Sequence, residues 1–434
     1  MATERPVSIP RVRPRFACTV AIAMACAAST APGRAQQLDW RLSGFGTAGW
    51  ARTDQSYDFQ RFLSESGSLK RDSVLGGQLD LQIAPAWSAT VQLTVAPSLK
   101  DDHGVQLTPT WAFVSWRPDN DWLLRLGKQR LPLFLNTENR DVGQTYDLLR
   151  LPAEVYGIAP STDMTGLSVS RTWLQPAGEW SLDAYAGADN LSVRYHTRDT
   201  GADFIRVRTS VVGAALTLKM DGAHTFRTSL YRAQTRRRDG QPLERRYPLV
   251  DSPFGSYYQV SDLLPGPGVE TTPSIVNHVV TFGADLQLAP NWRLVSEVAR
   301  SFQQRTDLGA DTLGAYAALL YRADRFTPYV LLSRLKSTGD SWRNAMALEA
   351  SAQAAPLPDL AVAQRAAADS IPVYDQSSLA LGLSYAVSPQ SRLKGEWMRT
   401  RIGRRSAMVD SPAGGPLVSH DLIHTLSISY SFVF

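Results

Sequence analysis

The stretch from His424 to Phe434 reads H-T-L-S-I-S-Y-S-F-V-F. Its even positions, Leu426, Ile428, Tyr430, Phe432 and Phe434, are apolar, while Thr425, Ser427, Ser429 and Ser431 occupy odd ones. Successive side chains of a strand point to opposite sides of the pleat, so this segment presents one greasy face and one small polar face. Two architectures accept such a strand. In a soluble sandwich the greasy face is core and the polar face meets solvent; in a transmembrane barrel the greasy face meets lipid and the polar face a wet lumen. The rest of the chain separates the two.

At the other end, Arg5, Arg11, Arg13 and Arg15 precede about twelve mostly apolar residues, Ala17 to Ala28, followed by small residues up to Ala35. This reads as a secretory signal peptide over residues 1–35, its hydrophobic middle too short to span a bilayer. A buried helix of a soluble protein is the competing reading, and no acidic residue after Glu4 balances the arginines to support it. Lipid attachment at Cys26 is weaker still, since Ala23 and Met24 poorly match such a site.

Cleavage after Ala35 changes the composition. Five arginines and one glutamate leave with the leader, so of 45 basic and 40 acidic residues 40 and 39 remain, and the formal charge of +5 largely disappears. Nucleic-acid binding thereby loses its main support. Cys18 and Cys26 leave too, which excludes disulfides, thiolate nucleophiles and cysteine metal ligands from the mature chain.

Roughly 400 residues usually make two or three soluble domains, yet no linker or composition shift divides residues 36–434. What repeats is strand, turn, strand. The segments are Trp40 to Trp50, Val74 to Ala84, Trp87 to Val95, Leu107 to Trp116, Trp122 to Leu131, Thr165 to Leu174, Trp180 to Ala188 and Arg208 to Met220. They continue as His224 to Thr235, Ile275 to Leu288, Trp292 to Phe302, Asp311 to Tyr321, Phe326 to Lys336, Tyr374 to Ala386, Arg392 to Arg401 and the closing stretch. These make about sixteen strands of about ten residues, the length a tilted strand needs to cross the hydrocarbon layer. Tight connections at Pro85, Pro118, Gln175 to Glu179, Asp221-Gly222, Pro290-Asn291, Asp324 and Ser388 to Gln390 alternate with long polar ones. Strict alternation puts all the tight turns on one side, as in a barrel with short periplasmic turns and long external loops.

The faces agree with that reading. Leu79, Leu81 and Ile83 alternate with Gln78, Asp80 and Gln82; Val280, Phe282, Leu286 and Leu288 with Thr281, Asp285 and Gln287; Leu379, Leu381, Leu383 and Tyr385 with Ser378, Gly382 and Ser384. Trp87, Trp122, Trp180 and Trp292 each open a strand after a tight turn, where aromatic rings form a belt at a membrane surface. No stretch after the leader has the apolar run of a membrane helix. Strands span lipid only when the sheet closes on itself, and about sixteen of them enclose an aqueous channel.

With these features together, residues 36–434 resemble a general porin of a Gram-negative outer membrane: all-β, a transmembrane antiparallel barrel. The resemblance implies that the third external loop, here about 132–163, folds inward and narrows the channel. That segment carries Asn136, Glu138, Asn139, Arg140, Asp141, Asp147, Arg150 and Glu154, with Leu133, Phe134, Leu148 and Leu149 to pin it to the wall. Loop charges Glu138, Arg140, Asp141, Asp147 and Arg150 are the expected constriction. Asp80, Asp285, Arg41, Arg125, Arg293, Arg392 and Lys394 are the expected inward wall charges, with Lys128 and Arg130 at the loop's edge. Opposed charges of this kind set up a transverse field that orients polar solutes. Plain lumen solvation is the competing reading for each residue, and Arg140 and Arg150 depart from an acid-dominated loop.

Passive diffusion of small hydrophilic solutes and ions is therefore the expected function, in a homotrimer by resemblance. A substrate-selective channel for anions or carboxylates, of the same architecture, is the alternative. An outer-membrane enzyme comes third, because no G-x-S-x-G or H-E-x-x-H is present and His420 with His424 reads as loop polarity. Neither catalytic, cofactor nor metal residues are expected. The basic cluster Arg236-Arg237-Arg238 with Arg245-Arg246 could meet lipopolysaccharide phosphates, but reads more simply as a solvated loop. The Ala-rich stretch from Ala345 to Ala368 suggests short helices interrupted at Pro356 and Pro358.

Overall fold

The computed structural model describes residues 39–434 apart from Gly222 and Phe254; the expected leader and both cysteines lie outside the described residues. Among the described residues, sixteen strands hydrogen-bond in chain order into a closed antiparallel barrel. They are β1 (Asp39–Thr53), β2 (Val74–Ala84), β3 (Trp87–Pro97), β4 (Val105–Trp116), β5 (Trp122–Arg130), β6 (Asp163–Gln175), β7 (Gly178–Thr197) and β8 (Gly201–Met220). The second half comprises β9 (His224–Arg237), β10 (Ile275–Ala289), β11 (Trp292–Gln304), β12 (Thr312–Tyr321), β13 (Phe326–Ser337), β14 (Tyr374–Ser388), β15 (Ser391–Ser406) and β16 (Leu422–Val433). The last strand seals the ring against the first, with Trp50 opposite Ile428 and Thr53 opposite Thr425.

The closing strand decides between sandwich and membrane barrel. Leu426, Ile428 and Tyr430 are 54%, 49% and 41% exposed, whereas Ser427, Ser429 and Ser431 are at 2% or less. A water-soluble fold would do the reverse, since burial of apolar area drives its folding. The exposed apolar rows continue through Val280, Phe282, Leu381 and Leu383. No helix among the described residues is long and apolar enough to cross a membrane, so strands must do it. Ile428→Arg is expected to destabilise the barrel in lipid by about 2–4 kcal/mol, the cost of a cation near the midplane. Urea unfolding in phospholipid vesicles measures it; a shift near zero would place Ile428 away from lipid.

At the tight-turn end, rings gather as the belt requires. Trp87 stacks on Trp116 at 5.8 Å, Trp292 meets Tyr321 at 4.8 Å, and Phe326 meets Tyr385 at 4.7 Å. Arg171 lies 5.3 Å from the Trp122 ring, its charge against the aromatic face.

The alternation of short and long connections has one departure. Between β7 and β8 the long polar loop expected after Ala188 is absent, and pairing continues to Thr197 opposite Gly201. The sequence explains it: Leu191, Val193, Tyr195, Phe204, Ile205 and Val207 favour extended strands, and Gly201 supplies the positive φ of a tight turn (78°). The resulting hairpin runs well beyond its neighbours. Arg198 at its tip hydrogen-bonds to Glu349 and Asp369, and Arg405 on β15 bonds to Asp369 at 2.7 Å.

Glu349 and Asp369 belong to a helical pair. After α1 (Ala153–Tyr156), α2 (Gly339–Ala354) and α3 (Pro358–Ser370) are separated near Pro356 as the sequence suggested. Ala345, Leu348, Ala368, Ile371 and Val373 form their own buried apolar cluster. A cavity of about 610 Å³ is lined by residues that include Ile158, Val193, Tyr195, Asn277, Ile371 and Arg405.

Candidate functional site

The segment between β5 and β6 is held from many directions. Leu131, Leu133, Phe134, Leu148, Leu149 and Val155 are buried, and the Phe134 and Tyr156 rings lie 4.9 Å apart. Polar bonds then fix the backbone. The Leu133 carbonyl accepts from Ser229 (3.0 Å, β9) and Thr281 (2.8 Å, β10), and Arg227 donates to the Phe134 carbonyl at 2.8 Å. On β11, Glu297 accepts from the Leu135 amide (2.8 Å) and from the Tyr156 and Tyr316 hydroxyls (both 2.7 Å).

Further round the ring the pattern repeats. Glu154 accepts from Gln376 (3.0 Å) and Ser378 (2.8 Å) of β14. Tyr329 of β13 accepts from the Leu149 amide and donates to Glu396 of β15. Lys394 donates to the carbonyls of Gly143 (2.6 Å) and Leu148 (2.9 Å), its ammonium 4.3 Å from the Tyr146 ring centre. Arg150 bonds Asp72 (2.8 Å) and Ser427 (2.5 Å). At the β1–β16 seam only glycine fits: a Cβ on Gly143 would sit 2.5 Å from Ser431 Oγ and 2.7 Å from Thr47 Oγ1.

The expected site residues fall into two clusters and a remainder. Asp147 sits between Arg392 and Arg293 (3.3 Å), and Arg293 also donates to Asp285 at 2.7 Å. In the second, Asp141 receives Arg130 at 2.9 Å with Arg140 3.8 Å away, and Arg130 also donates to Asp163 at 3.1 Å. Glu138 lies 3.6 Å from Arg227 and Lys128 3.9 Å from Asp189. Arg41, opposite Asp80 across β1 and β2, is exposed; Asp80 accepts from Thr90 and Gln78; Arg125 lies 5.3 Å from the Phe113 ring. Lys394 is buried and committed to the segment's carbonyls, and Arg150 reaches from the segment to Asp72 and Ser427, so neither is chiefly open to solution. The sequence reading passed over Glu297, Glu396 and Arg227. The signal was available: each shares the covered face of its strand, alternating with outward Val298, Trp397 and Thr228.

Burial pushes the Asp141 carboxyl up, but the Arg130 guanidinium, with Arg140 beside it, outweighs this and holds it below the usual carboxylate range. A depressed folded value means the pair's stabilisation is complete above the unfolded carboxylate value and is lost as pH falls through the folded one. Single-channel current is accordingly expected to stay quiet from neutral pH to about pH 4 and to become noisy only below it. Noise appearing near pH 6 would contradict the pairing.

The barrel defines a class: its fold is that of the outer-membrane porins. It is similar to a trimer form of in-vitro folded OmpT, an outer membrane protein of Vibrio cholerae, at TM-score 0.50 and 8% identity over 92% of this chain and 99% of that one. It is similar to the anion-selective porin from Comamonas acidovorans at TM-score 0.51 and 11% identity, covering 92% of this chain and 100% of that one. The outer membrane channel DcaP of Acinetobacter baumannii gives TM-score 0.50 and 12% identity, over 91% and 97%. No protein-family model and no curated protein matches the sequence. At such identities the likeness is one of fold.

Proposed function

We propose that the chain is an outer-membrane channel through which small hydrophilic solutes and ions diffuse passively, without enzymatic activity. The single observation that carries this reading is water-accessible charge on the inward face. Arg41 and Arg140 are exposed, the side chains of Glu138 and Arg293 are 42% and 37% open, and those of Arg392 and Asp285 are partly open. A solid interior would have to neutralise and bury those groups. The segment at about 132–163 is the narrowing element in this reading, supported by its bonds to β9, β10, β11, β13, β14, β15 and β16. The long connections then face outward from the cell and the leader 1–35 is removed on export. Outer-membrane lipid and lipopolysaccharide surround the barrel, and a homotrimer is the expected assembly, following the trimer form of the Vibrio protein.

A preference for anions or carboxylates is the second reading. Asp147 is nearly covered, its side chain 7% open, while its two arginine partners stay more accessible, so solution meets cation there. Swelling of liposomes carrying the protein, in graded sugars and in small organic acids, tests both. Entry of small sugars and exclusion of large ones is expected, with acids of equal size entering faster under the second reading; vesicles as tight as protein-free ones would overturn the proposal.

A further inference from the structure

The inward face of a water-filled barrel is polar as a rule, and at the long-connection end of β7, β8 and β10 it is not. Across β7 and β8, Leu191 pairs with Val207 and Val193 with Ile205, on the face that carries buried Thr209; Ile275 of β10 stands opposite Thr235 on that same face. Further along these faces, apolar residues have a partner. Val211, Tyr231 and Val279 share one buried cluster with Leu131, Leu133 and Phe134 of the segment after β5. At the long-connection end the cover is incomplete. Val193 is 45% exposed, and the cavity of about 610 Å³ is lined by this row, by Ile158 and Pro160 of the segment, and by Ile371 and Pro372 just after α3.

Protein interiors pack to crystal density and leave few voids wider than a water molecule. An apolar-walled space of this size instead falls within the roughly 300–1,000 Å³ usual for small-molecule sites. Buried ion pairs fix its walls. Arg198 at the hairpin tip bonds Glu349 of α2 and Asp369 of α3, Arg405 of β15 bonds Asp369 at 2.7 Å, and Arg194 bonds Asp102 at 3.0 Å and also Asp410. The side chains of Arg198, Arg405 and Asp369 are 5% open or less.

Charge on the walls selects the occupant. The cations that line the cavity are Arg194, Arg198, Arg237 and Arg405, and each is already bonded to a carboxylate, Arg237 to Asp239 at 2.6 Å. An acid would therefore find no free guanidinium. Of the wall carboxylates, Asp369 belongs to that network and Glu244 is exposed, so water already solvates it and an ammonium gains little there. What stays available is neutral. Among the described residues the Tyr374 hydroxyl forms no hydrogen bond, and Asn277, whose Oδ1 accepts from Gln303 at 3.0 Å, keeps its side-chain N–H donors.

We propose that this chamber binds an uncharged, largely apolar small molecule carrying one hydroxyl or carbonyl group. Its hydrocarbon body lies against Leu191, Val193, Ile205 and Ile371, and its oxygen is taken by the Tyr374 hydroxyl or the Asn277 amide. This goes beyond the passage of hydrophilic solutes, which an aqueous path serves without such walls.

The purified protein, held in an amphipathic polymer free of detergent, is titrated with menthol, with menthylammonium and with menthane carboxylate, and binding is read by saturation-transfer NMR. Menthol is expected to bind saturably, and the two ions at least roughly tenfold more weakly, since the walls do not offset their desolvation. Val193→Trp fills the chamber from its exposed wall and should abolish saturable binding. Tyr374→Phe removes the hydroxyl, keeps the ring, and should weaken binding roughly threefold to tenfold. Leu191→Asn makes the wall polar without added bulk and should weaken menthol at least as much, which keeps the proposal exposed to test if the tryptophan variant does not fold. Uptake that never saturates and is equal in the parent and Val193→Trp, the sign of partition into the polymer, would overturn it. So would tighter binding of either ion than of menthol, or full binding by Leu191→Asn. No current is read, so a protein that binds menthol yet never conducts keeps the site and loses the channel.

Discussion

Replacing residues 136–150 with a short Gly-Ser link is expected to raise single-channel conductance several-fold and to abolish most of the ion preference. The reason lies in what that stretch meets. Its far end reaches Lys394 on β15 through the Gly143 and Leu148 carbonyls, and Ser427 on β16 through Arg150, while its near end follows Leu133, held by β9 and β10. On the proposed reading, a stretch joined to walls so far apart in chain order occupies cross-section that its removal would return to water. The sixteen-strand hydrogen-bonding ladder needs none of those residues, so the shortened protein should still fold. Lys394→Met is the milder form of the same experiment. It removes one ammonium, leaves two buried carbonyls without their donor, and should turn a steady current into one that flickers between levels. An unchanged conductance in the shortened protein would mean that the stretch does not narrow the path.

Arg293→Ala combined with Arg392→Ala carries the second large effect. Both guanidinium groups converge on Asp147, and Arg293 also neutralises Asp285. Their removal turns a locally cationic surface anionic. The reversal potential in a potassium chloride gradient should therefore move toward potassium, most strongly at low salt, where the screening length grows beyond the roughly 10 Å of 0.1 M salt and the field of each charge reaches further. Asp147→Asn should move it the opposite way, and so should Glu138→Ala, whose carboxylate is the more open to water. If all these variants kept the parent's reversal potential, the cluster would be scaffolding and the selective charges would lie elsewhere.

Much of the barrel was legible because a membrane strand writes its two faces into alternate letters. The closing stretch, the rows around Phe282 and Leu381, and the tryptophans after tight turns all carry that local signal. The long β7–β8 hairpin was missed because its polar residues, among them Asn190, Ser192 and Arg194, read as loop, although they alternate with Leu191 and Val193. Alternation assigned the candidate charges to one face, but it carried no information about their partners. Alternation says which face a residue occupies and nothing about what comes across the ring, so the meeting of Glu297 with Tyr156, or Lys394 with Gly143, had no local signature. The same limit hid the division of the basic run, which depends on register: Arg236 and Arg238 turn outward beside Arg208 while Arg237 turns back to Asp239.

Conductance of the purified, folded protein in a planar bilayer is the most direct measurement of whether this inside-out ring encloses an open path. Discrete upward steps of uniform size, linear in voltage near zero and proportional to salt concentration, are the predicted record. A protein that inserts folded and leaves the bilayer as insulating as before would contradict it.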